Sequence, residues 1–176
     1  MQSLFTNGLL TAHHSGFRPC DSTINQLLSI SHKIYTGFEE TPSRETRAVF
    51  LDFSKSFDKV WREGLLHKLE LNGISGNLLN LIQNFLSNRK QRNLLNGKNY
   101  EWIDISAGVP QGSVLGPLLF LVYINDLVEN VGCKIKLFAD DTSLLSVVYD
   151  ESKTAAELDR DFRKSATMGL AMENEI

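Results

Sequence analysis

Residues Leu137-Phe138-Ala139-Asp140-Asp141 set two adjacent carboxylates at the end of an apolar run, and Thr142-Ser143-Leu144-Leu145 follows. Side chains alternate along a strand, so both acids cannot point outward unless a turn intervenes. Two like charges ~4 Å apart repel by roughly 4 kcal/mol where the effective dielectric is about 20. A tight hairpin that exposes both acids would relieve this, as would a divalent cation that takes hard oxygen ligands. Asp52 poses the same question, because it closes the apolar stretch Ala48-Val49-Phe50-Leu51. If these strands are neighbours, three carboxylates converge at one sheet edge. That is the oxygen-rich site of two-metal phosphoryl transfer, where one ion activates an attacking hydroxyl and the other holds triphosphate oxygens. The competing reading is that Asp52 caps a helix and Asp140-Asp141 form an ordinary turn.

Two further segments carry candidate chemistry. In Gly108-Val109-Pro110-Gln111-Gly112-Ser113, Gly108 and Gly112 permit unusual backbone angles, and Pro110 stiffens the loop. Gln111 offers a donor and an acceptor, and Ser113 can cap the helix that follows. Such a loop suits an anion or a sugar hydroxyl, or serves only as a helix entry. In Gly16-Phe17-Arg18-Pro19-Cys20-Asp21-Ser22-Thr23, Arg18 can pair with a phosphate, and Asp21, Ser22 or Thr23 can cap the next helix.

The elements that must position these residues follow from periodicity. Ile24, Leu27, Leu28, Ile30 and Ile34 predict an amphipathic helix from Ser22 to about Tyr35. A strand over Ala48–Leu51 ends on Asp52. A helix capped by Ser54 should run to about Leu71, with Phe57, Val60, Leu65 and Leu69 inward and Asn72-Gly73 as its stop. Another helix covers Gly76 to about Ser87. Asn96-Gly97 between Arg92–Leu95 and Tyr100–Ile105 is a hairpin signal. Residues 108–116 should be irregular and Leu118–Val128 helical. Lys134–Phe138 and Ser143–Val148 read as strands around the Asp-Asp turn, and residues 152–171 as a last helix with Ala155, Leu158 and Phe162 inward. This order is α+β, with helices on a mainly antiparallel sheet.

The 176 residues suit one domain or part of a larger one, at 42% hydrophobic and 22% charged. A net charge of −3 runs against the basic surplus usual in duplex binders. Cys20 and Cys133 are far apart and lack zinc-ligand spacing, so neither a disulfide partner nor a zinc site is expected. The N-terminal residues lack a basic region followed by an apolar run, so no secretory signal is expected, and the apolar run Val114–Ile124 is broken by Gly116-Pro117 and too short to cross a bilayer. The expectation is an intracellular protein, cytoplasmic or nuclear, neither secreted nor membrane-bound.

The strings VFLDFSKSFDKVWREGLLHKL, GVPQGSVLGPLLFLVYINDL and LFADD, in this order and spacing, resemble the palm of a reverse transcriptase of the non-LTR (LINE-like, jockey-like) retrotransposon type. HHSGFRPCDST resembles the segment that precedes the palm, so the likeness spans roughly residues 13–170. It implies an α+β polymerase palm, an antiparallel sheet with helices on one face, in which 1–46 form the end of the fingers with a connecting helix and 47–176 the palm. It implies RNA-directed DNA polymerase activity on an RNA template, a DNA primer and dNTP, with two Mg²⁺, for which Mn²⁺ can substitute. By this likeness Asp52, Asp140, Asp141 and the backbone carbonyl of Phe53 are metal ligands, with the three aspartates catalytic. Phe57 matches the aromatic gate beneath the incoming sugar, though it also fits a plain helix core. Pro110, Gln111 and Gly112 shape the nucleotide pocket, and Arg18 is a nucleic-acid contact. Cys20 stands where the family usually has Gly. The fingers segment, primer grip and thumb are expected outside these residues, which leaves a second reading: a catalytically inactive remnant. A different two-metal phosphotransferase or nuclease is a third, against which Phe57 and the Gln111 loop argue.

Overall fold

The computed structural model describes residues 10–18, 20–129 and 131–171. In chain order they form α1 (Thr23–Glu39), β1 (Thr46–Asp52), α2 (Arg62–Leu71), α3 (Gly76–Leu86), β2 (Arg89–Gln91), β3 (Leu94–Leu95), β4 (Lys98–Asn99), β5 (Ile103–Ile105) and α4 (Leu115–Tyr123). A 3₁₀ turn (Asn125–Val128), β6 (Lys134–Phe138), β7 (Asp141–Val147) and α5 (Glu151–Ala171) complete the order. The chain divides into two compact units. One holds the described part of Met1–Ser54 together with Ile124–Ala171, and the other holds Lys55–Tyr123.

The first unit is built on an antiparallel sheet of order β1-β7-β6. Its central strand β7 carries Leu144 and Leu145 in succession, both buried, so hydrophobic side chains leave it on both faces. One face joins Leu51, Ile135, Leu137 and Leu144 to Leu127 and to Leu158 of α5. The other face meets α1, where a side chain added at Gly37 would strike Thr46 Oγ1 at 2.8 Å. A strand apolar on both sides is shielded on both, and both α1 and α5 pack against β7. Ser22 caps α1 by accepting from the Asn25 N–H. The expected apolar stripe of α1 is largely outward: Ile24, Leu27 and Leu28 are exposed, while Gln26 and Gly37 are buried. In α5 the inward positions are Thr154, Leu158, Asp161 and Ser165, spaced by four, three and four. Leu158 is inward as expected, but Ala155 and Phe162 lie outside that stripe and are exposed.

The second unit packs α2 against α3 and α4 around Val60, Leu65, Leu69, Leu86, Leu119 and Phe120. The helix expected from Ser54 starts only at Arg62. Residues 54–59 are turns, with Lys55 at φ 56, and the carbonyls of Phe57 and Val60 accept from Val109 and Gly108. Those carbonyls serve the later loop in place of an intrahelical ladder. The Asn96-Gly97 hairpin forms as expected between β3 and β4, and β2 pairs with β5 beneath it. Ser113 caps α4 by accepting from the Gly116 N–H at 2.9 Å, while its hydroxyl donates to Pro110 O at 2.7 Å. Among the described residues no helix is long and apolar enough to cross a membrane.

Candidate active site

The register of the first sheet brings the carboxylates together. Asp52 is paired directly with Asp141 across β1 and β7, and Phe138 pairs with Asp141 across β6 and β7. Directly opposed residues hold their Cβ atoms about 4.5–5.5 Å apart on the same face. Asp140 occupies the two-residue turn between β6 and β7, after Ala139 at φ 54. A positive φ at the first turn residue alone is the sign pattern of a II′ hairpin. Three carboxylates therefore gather at one end of one sheet, with Asp52 and Asp141 exposed and Asp140 half-buried. Partial burial, then the charges of Asp140 and Asp52, push the Asp141 carboxyl above its ordinary value. Like charges opposed across a ladder are unfavourable, and hard oxygen donors in this number suit a divalent cation. The donor set fits such an ion. Phe53, whose backbone carbonyl the family likeness adds to the set, follows β1 directly and packs its ring on the sheet core.

Beside these acids lies a groove of about 460 Å³ between the start of α1 and the sheet, lined by Gln26, Leu27, Phe50, Asp52, Phe138 and Asp141 among others. Gln26 is buried there, and its Oε1 has no hydrogen-bond partner.

The Asp140 turn is braced from outside. His14 forms a parallel bridge with Leu137; Ser15 N–H donates to Leu137 O at 2.8 Å, and Leu137 N–H donates to His13 O at 3.0 Å. His14 Nε2 lies 3.3 Å from Ala139 O, and since a carbonyl only accepts, Nε2 carries the proton. Burial lowers the His14 pKa to about 4, so the ring is neutral at pH 7. A Cβ on Gly16 would fall 2.3 Å from Ala139 N, so only glycine fits against the turn. The sequence reading missed this brace; the local signal was His14-Ser15-Gly16 ahead of a helix cap. Arg18 donates through Nη1 to Thr11 O at 2.8 Å and His14 O at 3.2 Å, tying the same segment together.

In the second unit the other expected site residues are brought together. Val109 N–H donates to Phe57 O at 2.8 Å, and Gln111 Nε2 donates to Asp58 Oδ1 at 3.0 Å. A Cβ at Gly108 would meet Asp58 O at 2.6 Å, so glycine at φ 82 lets the two backbones touch. Phe57 is half-buried and stacks on Phe120 with ring centroids 4.4 Å apart. Pro110 is half-buried, and Gly112 stands at φ 75 with open space around it. The residue that holds this loop escaped the sequence reading altogether. Arg62 is buried and donates from Nε to Gly108 O, from Nη1 to Ile105 O and from Nη2 to Ala107 O, at 3.1, 2.8 and 2.6 Å.

A second group, Cys133, Glu157 and Asp161, places its donor atoms within 4.8 Å of one another. Asp161 Oδ2 accepts from the Gly132 and Cys133 N–H groups, and Oδ1 from Arg160 Nε. Burial and then Asp161 push the Cys133 thiol up to about 12, so it stays protonated. The group is an internally satisfied anchor for the entry to β6.

Comparison with known proteins agrees with this geometry. The family described as "Reverse transcriptase (RNA-dependent DNA polymerase)" matches residues 1–174. The chain is 33% identical over 165 residues to the RNA-directed DNA polymerase from mobile element jockey of Drosophila melanogaster, covering 83% of this chain and 18% of that protein. It is 33% identical over 123 residues to the probable RNA-directed DNA polymerase from transposon X-element, covering 69% of this chain and 13% of the relative. For the probable RNA-directed DNA polymerase from transposon BS the figures are 32% over 147 residues, 78% and 16%. The last two are also from Drosophila melanogaster, and the chain spans less than a fifth of any of these three relatives. Divalent metal ions are general to the matched family, in keeping with the gathered carboxylates. With motif order, sheet register and family match in agreement, the chain belongs to the reverse transcriptase family.

Proposed function

We propose that this chain carries the catalytic carboxylates of an RNA-directed DNA polymerase, which joins a dNTP to a primer 3′-hydroxyl on an RNA template. The observation that carries the reading is the pairing of Asp52 with Asp141 beside the Asp140 turn. Asp52, Asp140, Asp141 and the Phe53 carbonyl would hold two Mg²⁺. When bound, the ions supply Lewis acidity at the attacking hydroxyl and at the triphosphate oxygens. The chain's own part is positional. The His14 brace fixes the turn that presents Asp140, and the β1–β7 ladder fixes Asp52 against Asp141, so the negative field is set before substrate arrives.

In this reading Phe57, Pro110, Gln111 and Gly112 form the dNTP pocket, with the Phe57 ring set against a 2′-hydroxyl. Its support is that Arg62 and the Phe57–Val109 and Gln111–Asp58 bonds hold this set as one piece. Residues 1–46 are read as the end of the fingers and 47–176 as palm, and Arg18 as a contact near nucleic acid through the segment it ties. The inactive-remnant reading has no support in the carboxylate site, where Asp52 and Asp141 are paired in register and Asp140 stands in the adjoining turn.

Primer extension on poly(rA)/oligo(dT) with Mg²⁺, comparing the chain with Asp140→Asn, tests the proposal. Extension by the chain and none by the variant is expected; no extension by the unmutated chain would refute polymerase activity of these 176 residues.

A further inference from the structure

Residues 89–105 form a ribbon that the carboxylate chemistry does not use. β2 pairs with β5 in the register Arg89↔Ile105, Lys90↔Asp104 and Gln91↔Ile103, and the β3–β4 hairpin continues outward to Asn96-Gly97. Every residue from Lys90 to Asp104 is exposed, including Tyr100, Trp102 and Ile103, each more than half open to solvent. Large apolar side chains left open on an ordered ribbon mark a contact surface.

Charge says what kind. Four cations (Arg89, Lys90, Arg92, Lys98) face two anions (Glu101, Asp104) over 89–105, a net of +2. The chain as a whole is −3, so the remainder carries −5 and the ribbon is a local reversal of sign. The Arg92 guanidinium lies over the Trp102 ring, 4.6 Å from its centroid. Lys90, on β2, pairs with Asp104 of β5 at 3.3 Å. Arg89 and Lys98 have no ion pair among the described residues. An exposed aromatic backed by a guanidinium, with cations alongside, is a stacking platform for a base flanked by phosphate contacts. A protein partner would favour the apolar positions but leave the cationic excess unmatched.

We infer that the 89–105 ribbon binds single-stranded nucleic acid, with a base stacking on the Trp102–Arg92 pair and the backbone phosphates meeting Arg89 and Lys98. The inference extends the polymerase reading by giving nucleic acid a place on the Lys55–Tyr123 unit. Its base is fixed by Arg62, whose Nη1 holds the carbonyl of Ile105 at the foot of β5.

The test is fluorescence anisotropy of labelled single-stranded RNA and DNA 16-mers with the full chain, run in EDTA so that the carboxylate site takes no part. Trp102→Ala and Arg92→Ala should each weaken binding by about fivefold or more. Lys98→Gln should flatten the salt dependence, lowering the slope by about 0.7. Lys153→Gln, in α5 of the other unit, should change neither. These exposed substitutions should leave circular dichroism and Tm as in the unmutated chain. Unequal affinity for the two oligomers would identify RNA or DNA as the natural ligand, and equal affinity would assign the platform to both. Three results would overturn the inference: no binding of either oligomer, binding untouched by Trp102→Ala and Arg92→Ala, or equal loss from Lys153→Gln and Lys98→Gln. A self-association abolished by Trp102→Ala, without oligonucleotide binding, would make the ribbon a protein contact instead. None of these outcomes alters divalent-ion binding at Asp52, so the two readings fail separately.

Discussion

Replacing Arg62 by Met keeps the length of the side chain and removes its five N–H donors. Three buried or half-buried carbonyls, those of Ile105, Ala107 and Gly108, then lose bonds of 2.8, 2.6 and 3.1 Å. A hydrogen bond to a charged group contributes about 1.5–3 kcal/mol. Removing the guanidinium also removes its desolvation cost, which is several kcal/mol per buried ion. The net loss should be about 2–4 kcal/mol, close to what breaking a buried polar network costs. For a chain of this size, 1 kcal/mol corresponds to roughly 2–4 °C in Tm, so the variant should melt about 4–16 °C lower. Arg62→Lys should recover little, because one ammonium cannot serve three carbonyls spread around a planar fork. Thermal denaturation followed by circular dichroism reads both variants. A loss under about 1 kcal/mol in Arg62→Met, or full recovery in Arg62→Lys, would refute the assignment of Arg62 as the clamp of the 105–108 backbone.

Gly16→Ala should destabilise the first unit by about 1–3 kcal/mol, since its Cβ would meet the rigid backbone of Ala139 at 2.3 Å; an unchanged Tm would remove the brace from the account. Asp141→Asn should raise Tm at pH 7 in EDTA and leave it unchanged at pH 3. The sign follows from the raised folded-state pKa of Asp141. The folded chain binds that proton more tightly than the unfolded one, so this group's contribution to stability falls as pH rises from the ordinary carboxylate range through its raised folded-state value. A lower Tm at pH 7 in the variant would show that Asp141 is stabilised by its surroundings and not repelled by Asp52 and Asp140. Ala139→Gly should raise stability by a few tenths to 1 kcal/mol, because Ala139 holds φ 54 and glycine does so without strain; chemical denaturation measures it.

The carboxylate edge was legible because each acid sits at the end of a short apolar run, and strand ends converge where strands pair. The α+β order, the Asn96-Gly97 turn, the Ser113 cap and a cap for α1 among Asp21, Ser22 and Thr23 were legible for the same reason: their signals are local. Three features were not. Arg62 lies among charged neighbours, and nothing local marks it as buried; its partners are more than forty residues away. The late start of α2 depends on Val109 and Gly108 claiming carbonyls that a helix would otherwise use. The inward stripe of α5 is set by Asp161 reaching the 132–133 backbone, so Phe162, the more hydrophobic choice, turns outward.

In the proposed reading Asp52, Asp140 and Asp141 together hold divalent cations. It is tested most directly by Mn²⁺ titration of the full chain, following the loss of free-ion EPR signal, alongside Asp52→Asn, Asp141→Asn and Glu157→Gln. Binding is expected of the unmutated chain and of Glu157→Gln, weakened at least about tenfold in both aspartate variants, each of which removes one charged oxygen donor. Equal affinity in Asp52→Asn and the unmutated chain, or loss of binding only in Glu157→Gln, would contradict it and move the ion to the Cys133–Glu157–Asp161 group.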